Sequence, residues 1–290
     1  MAQEHAVLAD EQKVVLSALA PDYALSCHFI PADKRSDVLV LYAFFAEMQS
    51  IPLRVTEPLL GEVRLQWWRE ALTGQRPDQT EINAHPLARQ VMSVLHRYHL
   101  PAHGLTDLID AVTDDLYHDP PADLTALELY CGQTHSIMMR YVSLILADGA
   151  DSGPAGLAGL AGVAYGLTRL LLLMPAQLLN SRRSLIPSSL LNENGVDGTQ
   201  LHRLKDPVVL RALLQPIVEC AAQRYQTYCI ECKELPSALR PAFALTGLVP
   251  ARLRHLTSRL NDPALSFNQA WPDLNPLQQS FYLWKTAVWG

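Results

Sequence analysis

Few residues of this chain could do chemistry by type and spacing, and each group of them is incomplete. Arg64, Trp67, Trp68 and Arg69 form the densest aromatic and cationic cluster. On a helix Arg64 and Trp68 stand four apart, a spacing that permits cation–π stacking, while Trp67 shares a face with Leu60 and Val63, the side expected to be buried. Packing is the preferred reading of the Trp pair, and a ligand or partner contact the alternative. Cys229-Ile-Glu-Cys232 has the spacing of half a metal or redox site, without a second pair or a following His. His96, His99 and His103 could share a metal only on one continuous helical face, and Pro101 lies between them. Inert thiols and solvated or capping histidines are therefore expected.

The elements that must hold these residues are helices, since helical spacing dominates and strand alternation is almost absent. Thr56 is a good N-cap ahead of Pro58, and Leu60, Val63, Trp67 and Ala71 recur at helical intervals from Leu59 to Leu72. A polar loop is expected over Gly74 to Pro86, and helices over His85 to His99, Gly104 to Tyr117 and Thr125 to Ala147. The last of these opens on a Thr125-x-x-Glu128 capping-box pattern. Loops follow at Gly149 to Pro154 and Asn192 to Pro207, with helices from Val208 to Glu234, Pro241 to Leu260 and Leu277 to Trp289. Gly156 to Leu179 has the length of a bilayer crossing, but Arg169, Pro175 and four glycines favour a buried central helix over a span.

The chain has 290 residues, 49% of them hydrophobic, and no linker or composition break, so a single domain over residues 1–290 is expected. A net charge of -6, from 23 basic and 29 acidic residues, leaves no basic footprint for nucleic acid. The start Met1-Ala-Gln-Glu-His lacks the basic-then-apolar pattern of a secretory signal, which points to the cytoplasm. Five cysteines, an odd number widely spread, are expected to be reduced.

Two further segments carry a resemblance. Leu41 to Leu53 is similar to the squalene/phytoene synthase segment Y-A-[FW]-C-R-x-x-D-[DE]-x-x-D: Tyr42, Ala43 and Phe44 match, while Gln49, Ser50 and Leu53 stand where carboxylates belong. Gly162 to Gln177 with Arg182-Arg-Ser-Leu-Ile-Pro187 resembles G-x-A-x-Q-L-T-N-I-L-R-D-x-x-x-D followed by G-R-x-Y-L-P, with Leu173 and Gln177 at the carboxylate positions. Asp115-Leu116 and Glu128 to Cys131 resemble the family's D-L…E-L…Y-C stretch, so Asp115 is the one acidic residue of the pattern to persist.

In such enzymes carboxylates at i and i+4 on facing helices hold magnesium against a diphosphate, and Mg²⁺ wants hard oxygen ligands. Gln49 and Gln177 offer only neutral amide oxygens, and Leu53 and Leu173 none. Glu47 has Ile51 as its i+4 neighbour and Pro52 next to that, where helical hydrogen bonding is expected to be interrupted. The resemblance thus implies an all-α isoprenoid-synthase bundle with a central cavity that carries no metal clamp. The run Glu57 to Leu72 is similar, within the family, to the S-E-x-x-G-x-x-R-x-Q-[FW]-W segment of the mitochondrial complex I assembly factors built on this fold. That branch implies a non-catalytic accessory protein for respiratory complex I, without cofactor, cytoplasmic or peripheral at the inner membrane, with complex I subunits or assembly intermediates as partners. Candidate ligand or partner contacts are Tyr42, Arg64, Trp68, Arg69, Asp115, Arg182 and Arg183. The rivals are a divergent prenyltransferase that condenses two prenyl diphosphates with magnesium, and an isoprenoid or lipid carrier.

Overall fold

The computed structural model describes residues 14, 16–18, 20–76, 79–117, 119–150, 155–179, 184–267 and 271–289, and among them there is no strand. The first helices are α1 (Pro21–Ser26), α2 (Ala32–Arg54) and α3 (Pro58–Thr73). Helix α2 is buried on every side from Val38 to Phe45, as a central helix must be. It runs on through Pro52 to Arg54: the proline forgoes the bond to the Met48 carbonyl, but only the end of the last turn lies beyond it.

Helix α3 starts at Pro58 as the sequence indicates, but its N-cap residue is Glu57, without a side-chain cap, so Thr56 does not cap it. It ends at Gly74, whose φ of 71° lets its N–H return to the Glu70 carbonyl. Its buried face is Gly61, Leu65, Trp68, Ala71 and Leu72. Leu60 and Val63 are exposed, so the face expected from the spacing is rotated by about one residue. The cause is Trp68, whose ring meets Phe44 edge-on at 5.1 Å between centroids, while Leu116 fills the space left by the missing side chain of Gly61.

The expected polar loop contains a short helix, α4 (Gln79–Ala84), before α5 (Pro86–Arg97) and α6 (His103–Asp114). Next come α7 (Leu124–Cys131), a π-helical turn Gly132–Ser136, and α8 (Ile137–Leu146), where one continuous helix was expected. The capping box at Thr125 does not form. Asp123 accepts from Ala126 N at 2.9 Å instead, and Glu128 is drawn off to pair with Arg224. Then follow α9 (Ala155–Leu179), α10 (Ser188–Glu193) inside an expected loop, α11 (Pro207–Glu231), a 3₁₀ segment Ser237–Leu248, α12 (Val249–Leu260) and α13 (Pro276–Trp289). The 3₁₀ segment corrects the helix expected from Pro241, which itself lies inside it.

Helix α9 organises the core. Leu157, Ala158, Ala161, Ala164 and Tyr165 in its first half join the apolar cluster of α2, α5, α6 and α8. Leu167, Leu170, Leu171, Met174 and Leu178 in its second half join a second cluster with α10, α11 and α12. By length and composition α9 could cross a bilayer, yet 72% of its apolar window is buried inside the bundle. It passes the π-helical turn with almost no gap: a Cβ on Gly162 would overlap the Ser136 backbone, whereas one on Gly159 would meet open space.

That contrast predicts opposite outcomes for one chemical change in one helix. Gly162→Ala should cost about 3 kcal/mol, since backbone cannot yield as a side chain does, and Gly159→Ala should gain about 0.5–1 kcal/mol of helix propensity. Urea denaturation of the two variants against the parent chain checks both.

Candidate functional site

The two motif segments meet at one cavity of about 150 Å³. Gln49 and Leu53 face it from α2, and Leu173 and Gln177 face it from α9, so both i, i+4 pairs oppose each other across the same space. Leu53 and Leu173 are 44% and 38% exposed and so mark its mouth. Asp115, Tyr130, His135 and Arg169 complete the polar lining. Asp115 caps the C-terminus of α6, and the Tyr130 hydroxyl donates to its Oδ2 at 2.9 Å.

The other sequence candidates lie elsewhere. Ser50 is buried and its hydroxyl donates to the Glu47 carbonyl at 2.7 Å, while the Glu47 carboxylate pairs with Arg54 at 3.5 Å. Tyr42, expected as a ligand contact, is 1% exposed and packs edge-on against Tyr23, away from the cavity. Trp68 is likewise core and offers no surface to a partner, while Trp67 is the half-buried member of the pair and has Arg76 over its ring. The stacking of Arg64 on Trp68 is not seen: the Arg64 side chain is exposed while Trp68 is buried, and Arg69 pairs with Asp110. Arg182 and Arg183 lie outside the described residues. His96 and His99 have rings 6.4 Å apart, and Cys229 and Cys232 are free thiols.

Sequence reasoning missed the polar group behind the cavity, because its members are scattered from residue 22 to residue 273. Asp22 on α1 is 1% exposed and carries an ion pair to Arg252 Nη1 at 2.7 Å and a hydrogen bond from the Tyr165 hydroxyl at 2.7 Å. Arg169 approaches the same carboxylate at 3.7 Å. Arg252 also holds Asp273, through Nε at 3.1 Å and Nη2 at 2.5 Å. Burial alone would raise the Asp22 pKa, but Arg252 and Arg169 outweigh it and hold the carboxyl below its ordinary range. The only hint in the sequence was the lone charge of Arg169 in an apolar helix.

His135, on the π-helical turn, links this group to the cavity. The Tyr23 hydroxyl, which burial holds protonated, shares a 2.7 Å hydrogen bond with His135 Nδ1. Burial, aided by Arg169, pushes the His135 pKa down to about 3.

The lining does not fit the magnesium that the resemblance implies for prenyl transfer. Mg²⁺ needs several hard oxygen donors with negative charge. The cavity supplies one carboxylate, two amides, four leucines and a permanent cation, Arg169. Among the described residues no group of three or more His, Cys, Asp or Glu side chains is placed to hold a metal ion. What the lining can do is donate hydrogen bonds and one positive charge to a small polar group.

His135 is neutral in the folded chain and titrates near its ordinary value of about 6.5 once unfolded, so protons favour the unfolded state as the pH falls from 7 towards 3. Between pH 7 and 5 this amounts to a loss of about 2 kcal/mol. His135→Gln should lack that part of the decline, which urea denaturation of both proteins at the two pH values measures.

The squalene/phytoene synthase family model matches residues 17–273. Over 218 residues the chain is 24% identical to human NADH dehydrogenase (ubiquinone) complex I, assembly factor 6, covering 75% of this chain and 64% of that protein's length. The bovine protein of the same name is 27% identical over 115 residues, 40% of this chain and 34% of the relative. Among solved structures, a dehydrosqualene synthase superposes with a TM-score of 0.75 at 16% identity, covering 98% of this chain and 96% of that one. The squalene synthase HpnC of Alicyclobacillus acidocaldarius gives 0.69 at 17% identity, covering 90% and 97%. The all-helical fold, the two opposed pairs on α2 and α9, and a family match over most of the chain make this protein a member of the squalene/phytoene synthase family.

Proposed function

We propose that this chain is a non-catalytic member of its family that serves the assembly of respiratory complex I. The observation that carries the reading is the pair of opposed positions across the cavity, Gln49 and Leu53 against Leu173 and Gln177, where no side chain can hold a metal diphosphate. The relatives named complex I assembly factor 6 supply the direction of the function. The chain spans 64% of the human relative's length, so the client surfaces of the two proteins need not coincide. In this reading the partners are complex I subunits or assembly intermediates, no metal is used, and the protein works in the cytoplasm, peripherally at the inner membrane. The motif cavity itself, at about 150 Å³, is smaller than the roughly 300 Å³ or more that drug-sized ligands occupy.

Two measurements test this. Purified protein with farnesyl or geranylgeranyl diphosphate and Mg²⁺ or Mn²⁺ should release no diphosphate and form no squalene or phytoene above a no-enzyme control. A deletion strain should lose assembled, rotenone-sensitive NADH oxidation while its carotenoid, squalene and hopanoid levels stay intact. Turnover in the first assay, or altered polyisoprenoids with normal NADH oxidation in the second, would replace the assembly reading with the prenyltransferase one.

A further inference from the structure

Helix α13 carries an apolar stripe that faces away from the bundle. Leu277, Phe281, Trp284, Val288 and Trp289 are each 40–84% exposed, and the first four recur at spacings of four, three and four, so they share one face. Three of them form a continuous aromatic surface, with ring centroids 6.1 Å apart for Phe281 and Trp284 and 5.7 Å for Trp284 and Trp289. The opposite face is fastened. Leu283 and Ala287 are buried, and Thr286 and the Tyr282 carbonyl lie so close over Gly247 that a Cβ there would overlap them. The stripe is thus held outward by the fold.

The charged residues of the two elements that form this surface share one sign, while Asp273, just before α13, is held by Arg252. Helix α13 and the 3₁₀ segment Ser237–Leu248 beneath it contain Lys285 and Arg240 and no acidic residue, in a chain with 29 acidic residues. Lys285 is exposed beside Trp284, and Arg240 donates to the Val288 carbonyl at 3.3 Å, at the end of the stripe. We propose that α13 seats this protein on an anionic bilayer surface, with the aromatic stripe in the boundary between headgroups and acyl chains and Lys285 and Arg240 towards lipid phosphates. Tryptophan suits that boundary, having an apolar ring and one polar N–H. At 14 residues the helix is about 21 Å long, too short to cross a bilayer and long enough to lie along it. A second copy of the chain fits less well, because a two-fold contact would set the stripe against its own acid-free surface and leave Lys285 without a counter-charge.

The test is co-sedimentation of the full chain with phosphatidylcholine–phosphatidylglycerol vesicles and with phosphatidylcholine alone, alongside its mass in solution across a concentration series. The parent chain should bind the anionic vesicles, with tryptophan emission shifted to the blue, and should bind phosphatidylcholine less. Trp284→Ser with Trp289→Ser should weaken binding roughly tenfold or more. Lys285→Glu should weaken it several-fold on anionic vesicles only. All three side chains are exposed, so far-UV circular dichroism and the melting temperature should not change. Absence of vesicle binding, binding untouched by the double variant, or a concentration-dependent dimer that the double variant abolishes would each overturn the proposal, the last by giving the stripe to a second copy.

Discussion

The structure depends most on one buried carboxylate. Asp22 sits almost without solvent on a helix of only six residues, which docks through the core packing of Tyr23 and through the groups that reach this carboxylate. Arg252 comes from α12, Tyr165 and Arg169 from α9, and Arg252 carries Asp273 with it, so four distant parts of the chain converge on one charge. A buried ion pair is poor evidence of stability, since the desolvation of both ions offsets their attraction. What it supplies is registry. Removing one partner would strand the other in an apolar core, so shifted packings of α9 against α1 and α12 are disfavoured.

This polar group lies where the two apolar clusters meet, and its position explains the state of the cavity beside it. Arg169 is shared between Asp22 and the cavity lining, and it brings positive charge to a space where the family's synthases would place divalent cations. His135 is kept neutral by burial and by the same Arg169. The missing carboxylates and the cation are consistent with each other: magnesium in this space would meet Arg169, and the lining's one carboxylate is Asp115.

Much of the fold was legible in the sequence because prolines and glycines punctuate it. Pro58, Pro86, Pro207 and Pro276 each open a helix, and Gly74 closes one. The errors share a cause, namely that tertiary contacts outrank local pattern. Leu60 and Val63 have the spacing of a core face, but Trp68 finds Phe44 and turns α3 the other way. Glu128 looks like half of a capping box until Arg224, 96 residues later, takes its carboxylate. Of the candidate site, Gln49, Leu53, Asp115, Leu173 and Gln177 were found from motif positions and do line one cavity. Tyr42 and Trp68 were not separable from core by type, and His135 carried no local signal, because its role arises from Tyr23 and the π-helical turn.

The crossing of Gly162 over Ser136 acts as a gauge for the cavity. His135, next to Ser136, and Arg169, about two turns beyond Gly162, hang from the two backbones that touch there. Side chains can change rotamer to admit a ligand, whereas two abutting backbones cannot part without separating the helices that carry them.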